Sequence, residues 1–156
     1  GAVGFVRRDP MAVLPFVGYN MGDYFQHWLD MGAKLGDKAP KIFNVNWFRT
    51  DDEGNFIWPG FGDNLRVVLW ILARCAGKVD ADITPIGYLP KAEDICIDGL
   101  EGITLDTVRD LLSVDTAAWL EDVENIKEFY AQVGDHVPQA MYDELAALEA
   151  RLKAAR

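Results

Sequence analysis

Lys41-Ile42-Phe43-Asn44-Val45-Asn46-Trp47-Phe48 and, beyond a polar tip, Phe56-Ile57-Trp58-Pro59-Gly60-Phe61-Gly62-Asp63-Asn64 hold the alternation and turn chemistry from which the fold is read. In the first run, Phe43, Val45 and Trp47 fall on one side and Asn44, Asn46 and Phe48 on the other, which predicts a strand over 41–48. Asp51-Asp52-Glu53-Gly54-Asn55 is turn material. It lets Phe56-Ile57-Trp58 fold back as a hairpin that brings Phe56 near Phe48, and Pro59 ends that strand. Gly60 to Asn64 then reads as a flexible turn opening a helix from Leu65 to about Cys75. Val67, Val68, Leu69, Trp70, Ile71 and Leu72 leave that helix no polar face, so it is expected to be buried nearly all round.

Upstream, residues 3–8 read as a short strand, Asp9-Pro10 as a turn and residues 11–17 as buried apolar chain. Asn20 with Asp23 three residues on is a helix-capping signal. Met21, Tyr24, Phe25, Trp28 and Leu29 then share one helical face to about Leu35, where Gly36-Asp37 stops it. Downstream, residues 83–88 read as an edge strand or loop because Pro85 cannot donate in a central ladder. Thr104 caps a short helix to about Leu112. Trp119, Val123, Ile126, Tyr130 and Val133, and again Met141, Leu145, Leu148 and Leu152, form one-sided stripes of two packing helices.

The 156 residues are 50% hydrophobic and 26% charged, the composition of a soluble globular domain and not of a disordered or collagenous chain. No stretch approaches the ~18 apolar residues of a membrane span, and no signal peptide is visible, so the expected compartment is the cytoplasm. Cys75 and Cys96 suggest neither a disulfide framework nor a zinc site and are expected to be buried free thiols. A net charge of −10 argues against nucleic acid as a partner. The charge is uneven: residues 1–78 hold nine Lys or Arg against eight Asp or Glu, and residues 79–156 six against seventeen. Thirteen of the eighteen aromatic residues also lie in 1–78, so ligand chemistry is expected there and scaffolding after it.

The chain has no Gly-x4-Gly-Lys-Ser/Thr phosphate loop, Gly-x-Gly-x-x-Gly fingerprint after a strand, zinc-protease helix or Cys-x-x-Cys pair. His27 reads as a packed or surface histidine, and Asp51-Asp52-Glu53 as a solvated hairpin tip and not a metal loop. What stands out is the convergence of Phe48, Phe56 and Phe61 around an amide side chain, with Gly60 and Gly62 letting backbone approach a flat ligand. A purine base needs aromatic faces to stack on and an amide to read its edge. A hairpin core of three phenylalanines is the other reading of the same residues.

Four segments, Gly18-Tyr19-Asn20-Met21-Gly22-Asp23-Tyr24-Phe25-Gln26-His27-Trp28, Pro40 to Phe43 with Asn46 to Arg49, Trp58 to Asn64, and Thr84-Pro85-Ile86-Gly87-Tyr88, closely resemble in order the C-terminal portion of the GTP-dependent phosphoenolpyruvate carboxykinase family. The likeness runs along nearly the whole chain and is strongest from Arg7 to Pro90. It implies an enzyme that converts oxaloacetate and GTP to phosphoenolpyruvate, GDP and carbon dioxide in gluconeogenesis, with Mn2+ or Mg2+. It implies a guanine pocket in which Phe48, Phe56 and Phe61 stack on the base, while Asn64, beside the backbone of Phe61, Gly62 and Asp63, reads its edge. Residues 1–6 would be the trailing end of the family's mobile lid. Where the family usually has Glu-Asn-Ser-Arg, this chain has Asp63-Asn64-Leu65-Arg66; the charge is kept, but Leu65 removes a hydroxyl at the helix start.

The family's phosphate loop, metal ligands and substrate arginines lie upstream of the matched motifs. With Gly1 as first residue, the expectation is a C-terminal segment whose partners are a guanine nucleotide and the rest of the enzyme, inactive alone. The expected fold is mixed α/β (α+β), a partial nucleotide-binding lobe with a β-hairpin and C-terminal packing helices. Residues 1–90 would form the base-binding part and 91–156 the helical scaffold of one domain. The alternative is a stand-alone, non-enzymatic interaction module whose acidic helices bind a protein partner.

Overall fold

A computed structural model describes residues 8–155 of the chain. In chain order its regular elements are α1 (Met21–Leu35), α2 (Asn64–Cys75), β1 (Asp82–Thr84), β2 (Gly87–Leu89), α3 (Leu105–Leu111), α4 (Thr116–Val133) and α5 (Gln139–Ala154). The architecture is mixed: helices with one small antiparallel hairpin. The described residues divide into two compact units, 8–40 with 115–155, and 41–114. Apart from Arg8, the strand expected at residues 3–8 and the lid segment at 1–6 lie outside the described residues.

The first unit is built from helices whose ends are fixed locally. Asn20 caps α1, its Oδ1 accepting from Gly22 N at 2.7 Å while its Nδ2 donates to the Val133 carbonyl at 3.1 Å. One side chain thus satisfies an orphan helix donor and ties α1 to the end of α4. The Asp23 side chain takes no part in the cap and instead meets His136, Oδ1 to Nδ1 at 2.8 Å. Asp115 caps α4 through Ala117 N and Ala118 N. Most of the predicted stripes pack: Phe25, Val123, Tyr130, Leu145 and Leu152 are buried, whereas Leu29 at the edge of the α1 face is exposed; the Phe25 and Phe129 rings meet at 6.3 Å. Residues 11–17 depart further. They form two 3-10 turns, Pro10–Ala12 and Leu14–Phe16, and expose Met11, Leu14 and Phe16. Among the described residues nothing covers these side chains, so the expected burial fails.

The second unit packs around Trp58, Trp70, Ala92, Ile95 and Val108, with Phe43, Trp47, Val67 and Ile71 against them. Phe43 and Trp47 therefore share the inward side as predicted, but Val45 is exposed and 41–48 forms no strand. Among the described residues no neighbouring segment offers that stretch a ladder of N–H and C=O groups, and alternation without a partner leaves an extended chain. The expected hairpin is reduced to a single bridge between Thr50 and Phe56. The regular hairpin is instead β1 with β2, pairing Ile83 with Tyr88 across a turn at Pro85-Ile86. Thr84 Oγ1 closes that turn by donating to the Gly87 carbonyl at 2.7 Å.

Two expectations about burial are overturned here. Helix α2 buries only Trp70 fully, and Leu65, Leu69 and Leu72 stand exposed on its outer side. Cys75 and Cys96 are free but exposed, Cys75 ending α2 and Cys96 lying in irregular chain. Thr104 caps α3, as the sequence indicates, and the structure adds a reciprocal box with Thr107. Among the described residues no helix is long and apolar enough to cross a membrane.

Candidate functional site

The second unit carries an aromatic depression of about 410 Å³, lined by Trp47, Phe48, Phe56, Trp58, Pro59, Gly60, Phe61 and Asn64. That volume is within the range of small-molecule sites. Its walls come from a single stretch of chain folded on itself. Asp51 forms the tip, its Oδ1 accepting from the backbone of Glu53 at 3.0 Å and of Asn55 at 2.8 Å. Those N–H groups, Asn55 foremost, hold the Asp51 carboxyl below the usual carboxylate range. The returning chain is registered by Asp51 N to Asn55 O at 2.9 Å and Ile57 N to Arg49 O at 3.0 Å. This brings the Phe48 and Phe56 rings to 5.8 Å.

Arg49 fixes the hairpin from below. Its Nη1 donates to the carbonyls of Asp110 at 2.6 Å and Leu111 at 3.1 Å, and its Nη2 to Ser113 Oγ at 3.2 Å. These carbonyls are at the C-terminal end of α3, where a cation is favoured. After Pro59, Gly60 turns the chain at φ +96°, a conformation glycine adopts at no steric cost. The turn closes with Asp63 N on the Gly60 carbonyl at 2.9 Å, and α2 begins at Asn64.

The three phenylalanines are not core: Phe48 is 71%, Phe56 64% and Phe61 97% exposed. Phe48, Phe56, Phe61 and Asn64 border the same depression, whereas Gly62 and Asp63 are not among its lining residues. Asp63 leaves α2 without a side-chain cap. Its Oδ1 receives Arg66 Nε at 3.0 Å, and Arg66 Nη1 and Nη2 continue to the carbonyls of Cys96 at 2.9 Å and Asp98 at 3.0 Å. Arg66 thereby bolts the helix-opening turn to the 96–98 segment. The sequence singled out neither Arg49, Arg66 nor Trp58. Trp58 Nε1 donates to Asn64 Oδ1 at 3.0 Å, a contact between residues that the sequence assigned to a strand and to a turn. Trp58 is itself part of the core cluster.

The chemistry available is stacking plus a carboxamide, with no nucleophile or base in the lining. No group of three or more His, Cys, Asp and Glu that could hold a metal ion occurs among the described residues. The Asp51-Asp52-Glu53 tip is exposed, as is His27. A second depression, of about 260 Å³, includes Arg109 among its lining, but Arg109 is already held by Glu93 at 2.6 Å and Asp106 at 2.8 Å.

Comparison with known proteins gives consistent matches. The family described as phosphoenolpyruvate carboxykinase C-terminal P-loop domain matches residues 1–151. The chain is 50% identical over 155 residues to phosphoenolpyruvate carboxykinase [GTP] of Corynebacterium jeikeium (strain K411), covering 99% of this chain and 25% of that protein. It is 49% identical over 154 residues to the protein of the same name from Chlamydia caviae, covering 98% of this chain and 26% of that protein. For the Paenarthrobacter aurescens protein the identity is 50% over 153 residues, covering 97% of this chain and 25% of that protein. The chain thus spans about a quarter of the length of these curated relatives.

Proposed function

The chain belongs to the phosphoenolpyruvate carboxykinase C-terminal P-loop domain family, and on that premise we propose that it supplies the guanine-nucleotide pocket of a GTP-dependent phosphoenolpyruvate carboxykinase. The observation that carries this reading is the set of three exposed phenylalanine rings around one depression that also holds the Asn64 carboxamide. The base of GTP or GDP stacks on Phe48, Phe56 and Phe61, each contact being worth ~1–3 kcal/mol. Asn64 hydrogen-bonds the base edge beside the backbone of Phe61, which borders the same depression; Gly62 and Asp63, expected there from the sequence, shape the turn that carries both.

The complete enzyme converts oxaloacetate and GTP to phosphoenolpyruvate, GDP and carbon dioxide. The phosphates, the Mn2+ or Mg2+ ions and the oxaloacetate are held by the rest of that enzyme, the partner of this segment. Within the segment, residues 1–90 bind the base, and 91–156 serve as its scaffold in a nucleotide-binding lobe. The proposed compartment is the cytoplasm, a reading favoured by two free cysteines.

Phe61→Ala in the family-length enzyme tests this reading, because a ring this exposed contributes little to folding. The expected result is GTP binding weakened by ~1–3 kcal/mol with an unchanged melting temperature. Unchanged GTP affinity in the variant overturns the proposal.

A further inference from the structure

We propose that Trp58 is a positioning residue that determines purine specificity: its indole N–H fixes which way round the Asn64 carboxamide faces a bound base. The inference rests on the guanine-pocket reading above and says what makes that pocket selective. An asparagine carboxamide has an acceptor oxygen and a donor amino group of nearly the same shape. Guanine offers it the O6 acceptor beside the N1–H donor. Adenine offers the N6 donor beside the N1 acceptor, the same pair in reverse order. An amide free to turn over satisfies either edge equally, so an asparagine in a purine pocket confers no selectivity unless that rotation is blocked.

Trp58 blocks it. Its Nε1 lies 3.0 Å from Asn64 Oδ1, and an indole nitrogen can only donate. Turning the amide over would set its amino group against the indole N–H, two donors with no acceptor between them, at the cost of a lost hydrogen bond and an unsatisfied donor. Trp58 cannot swing aside, because it is 7% exposed and packed among Trp70, Ala92, Ile95 and Val108. The Asn64 backbone is set as the first residue of α2, and its side chain is half-buried. Its Nδ2 has no hydrogen-bond partner among the described residues, which leaves the amide's donor end available to a ligand. The amide therefore presents one fixed order of donor and acceptor, and specificity arises from refusing the reversed edge as much as from accepting the correct one.

The test is made in the family-length enzyme carrying this segment, with Trp58 replaced by its benzothiophene isostere, which puts sulfur in place of the N–H and keeps the bicyclic shape, and with Trp58→Phe as a genetic counterpart. Steady-state kinetics with GTP and ATP are measured for each, with Asn64→Ala alongside and melting temperatures as a check on packing. The expected result is a GTP-over-ATP preference reduced about tenfold by the isostere, the change falling on KM as the ATP value drops and the GTP value rises. Retention of the preference in the isostere, or an equal loss with both nucleotides, overturns the role of Trp58 while leaving the pocket intact. A parent enzyme without guanine preference, or a preference that survives Asn64→Ala, overturns the pocket reading itself and this inference with it.

Discussion

Gly22 in the first turn of α1 lies directly against the backbone of His136: a Cβ built on Gly22 would come 2.3 Å from the His136 carbonyl oxygen and 2.4 Å from its carbon. A helix interior ordinarily favours alanine over glycine by ~1 kcal/mol. Here the sign reverses, since the obstacle is backbone and not the end of a flexible side chain. Gly22→Ala is expected to lower stability by about 1–3 kcal/mol, the usual cost of overpacking, or more. Thermal melting followed by circular dichroism decides it; a melting temperature equal to or above that of the parent would mean that the 134–138 connection yields easily.

The same place gives a pH dependence. The hydrogen bond that His136 Nδ1 donates to the Asp23 carboxylate, followed by that carboxylate's charge, raises the His136 pKa above the ordinary histidine value. A raised folded-state pKa means that the native state holds the proton more tightly than the unfolded chain. The stabilisation is therefore fully present below the unfolded value of about 6.5 and is lost as pH rises through the higher folded value. The melting-temperature difference between the parent and Asp23→Asn should shrink as pH increases across that window. A difference that stays constant or grows with pH would show that the pair does not titrate in this way.

For nucleotide selection in the family-length enzyme, Asn64→Ala is expected to cost ~1–3 kcal/mol with GTP by leaving the base edge unpaired. The loss with ATP should be much smaller. Comparing kcat/KM for the two nucleotides measures this directly, and an equal loss with each would remove Asn64 from base reading.

The outer side of α2 should make the isolated chain associate. Leu65, Leu69 and Leu72 are 60%, 56% and 59% exposed, and their spacing puts them along one helical face. Ile42 and Ile83 of the same unit are also exposed. Exposed patches of this kind favour association. A dye that fluoresces on apolar surface is expected to bind the 156-residue chain, and replacing the three leucines by serine should abolish most of that signal without lowering the melting temperature. A monodisperse monomer that binds no dye would run against this.

Alone, the chain is also expected to show no turnover of oxaloacetate and only weak GTP binding. Association costs at least ~4 kcal/mol before any net affinity appears, and the pocket offers stacking and one amide without phosphate contacts. Isothermal titration with GTP at millimolar concentration, together with a coupled assay for phosphoenolpyruvate, measures both; measurable turnover would place reaction chemistry on these residues.

What the sequence determined by itself is what depends on neighbours along the chain. The Asn20 cap and the α1 face, the Thr104 cap of α3, and the stripes of α4 and α5 were legible because helical spacing and capping are settled within a few residues. Phe48, Phe56, Phe61 and Asn64 could be brought to one place on paper because a short tip at 51–55 leaves the chain little choice but to double back. The tertiary structure decided everything that needs a distant partner. Residues 41–48 alternate correctly yet form no strand, since a ladder requires a second chain segment. The apolar runs at 11–17 and in α2 read as buried, but burial depends on whether another surface covers them, and composition does not contain that information. Arg49 and Arg66 became anchors only when the carbonyls of Asp110, Leu111, Cys96 and Asp98 were brought beside them. The direction of the Asn64 amide was likewise invisible in the sequence, because it is set by a hydrogen bond from an indole whose own position is fixed by the core around Trp70.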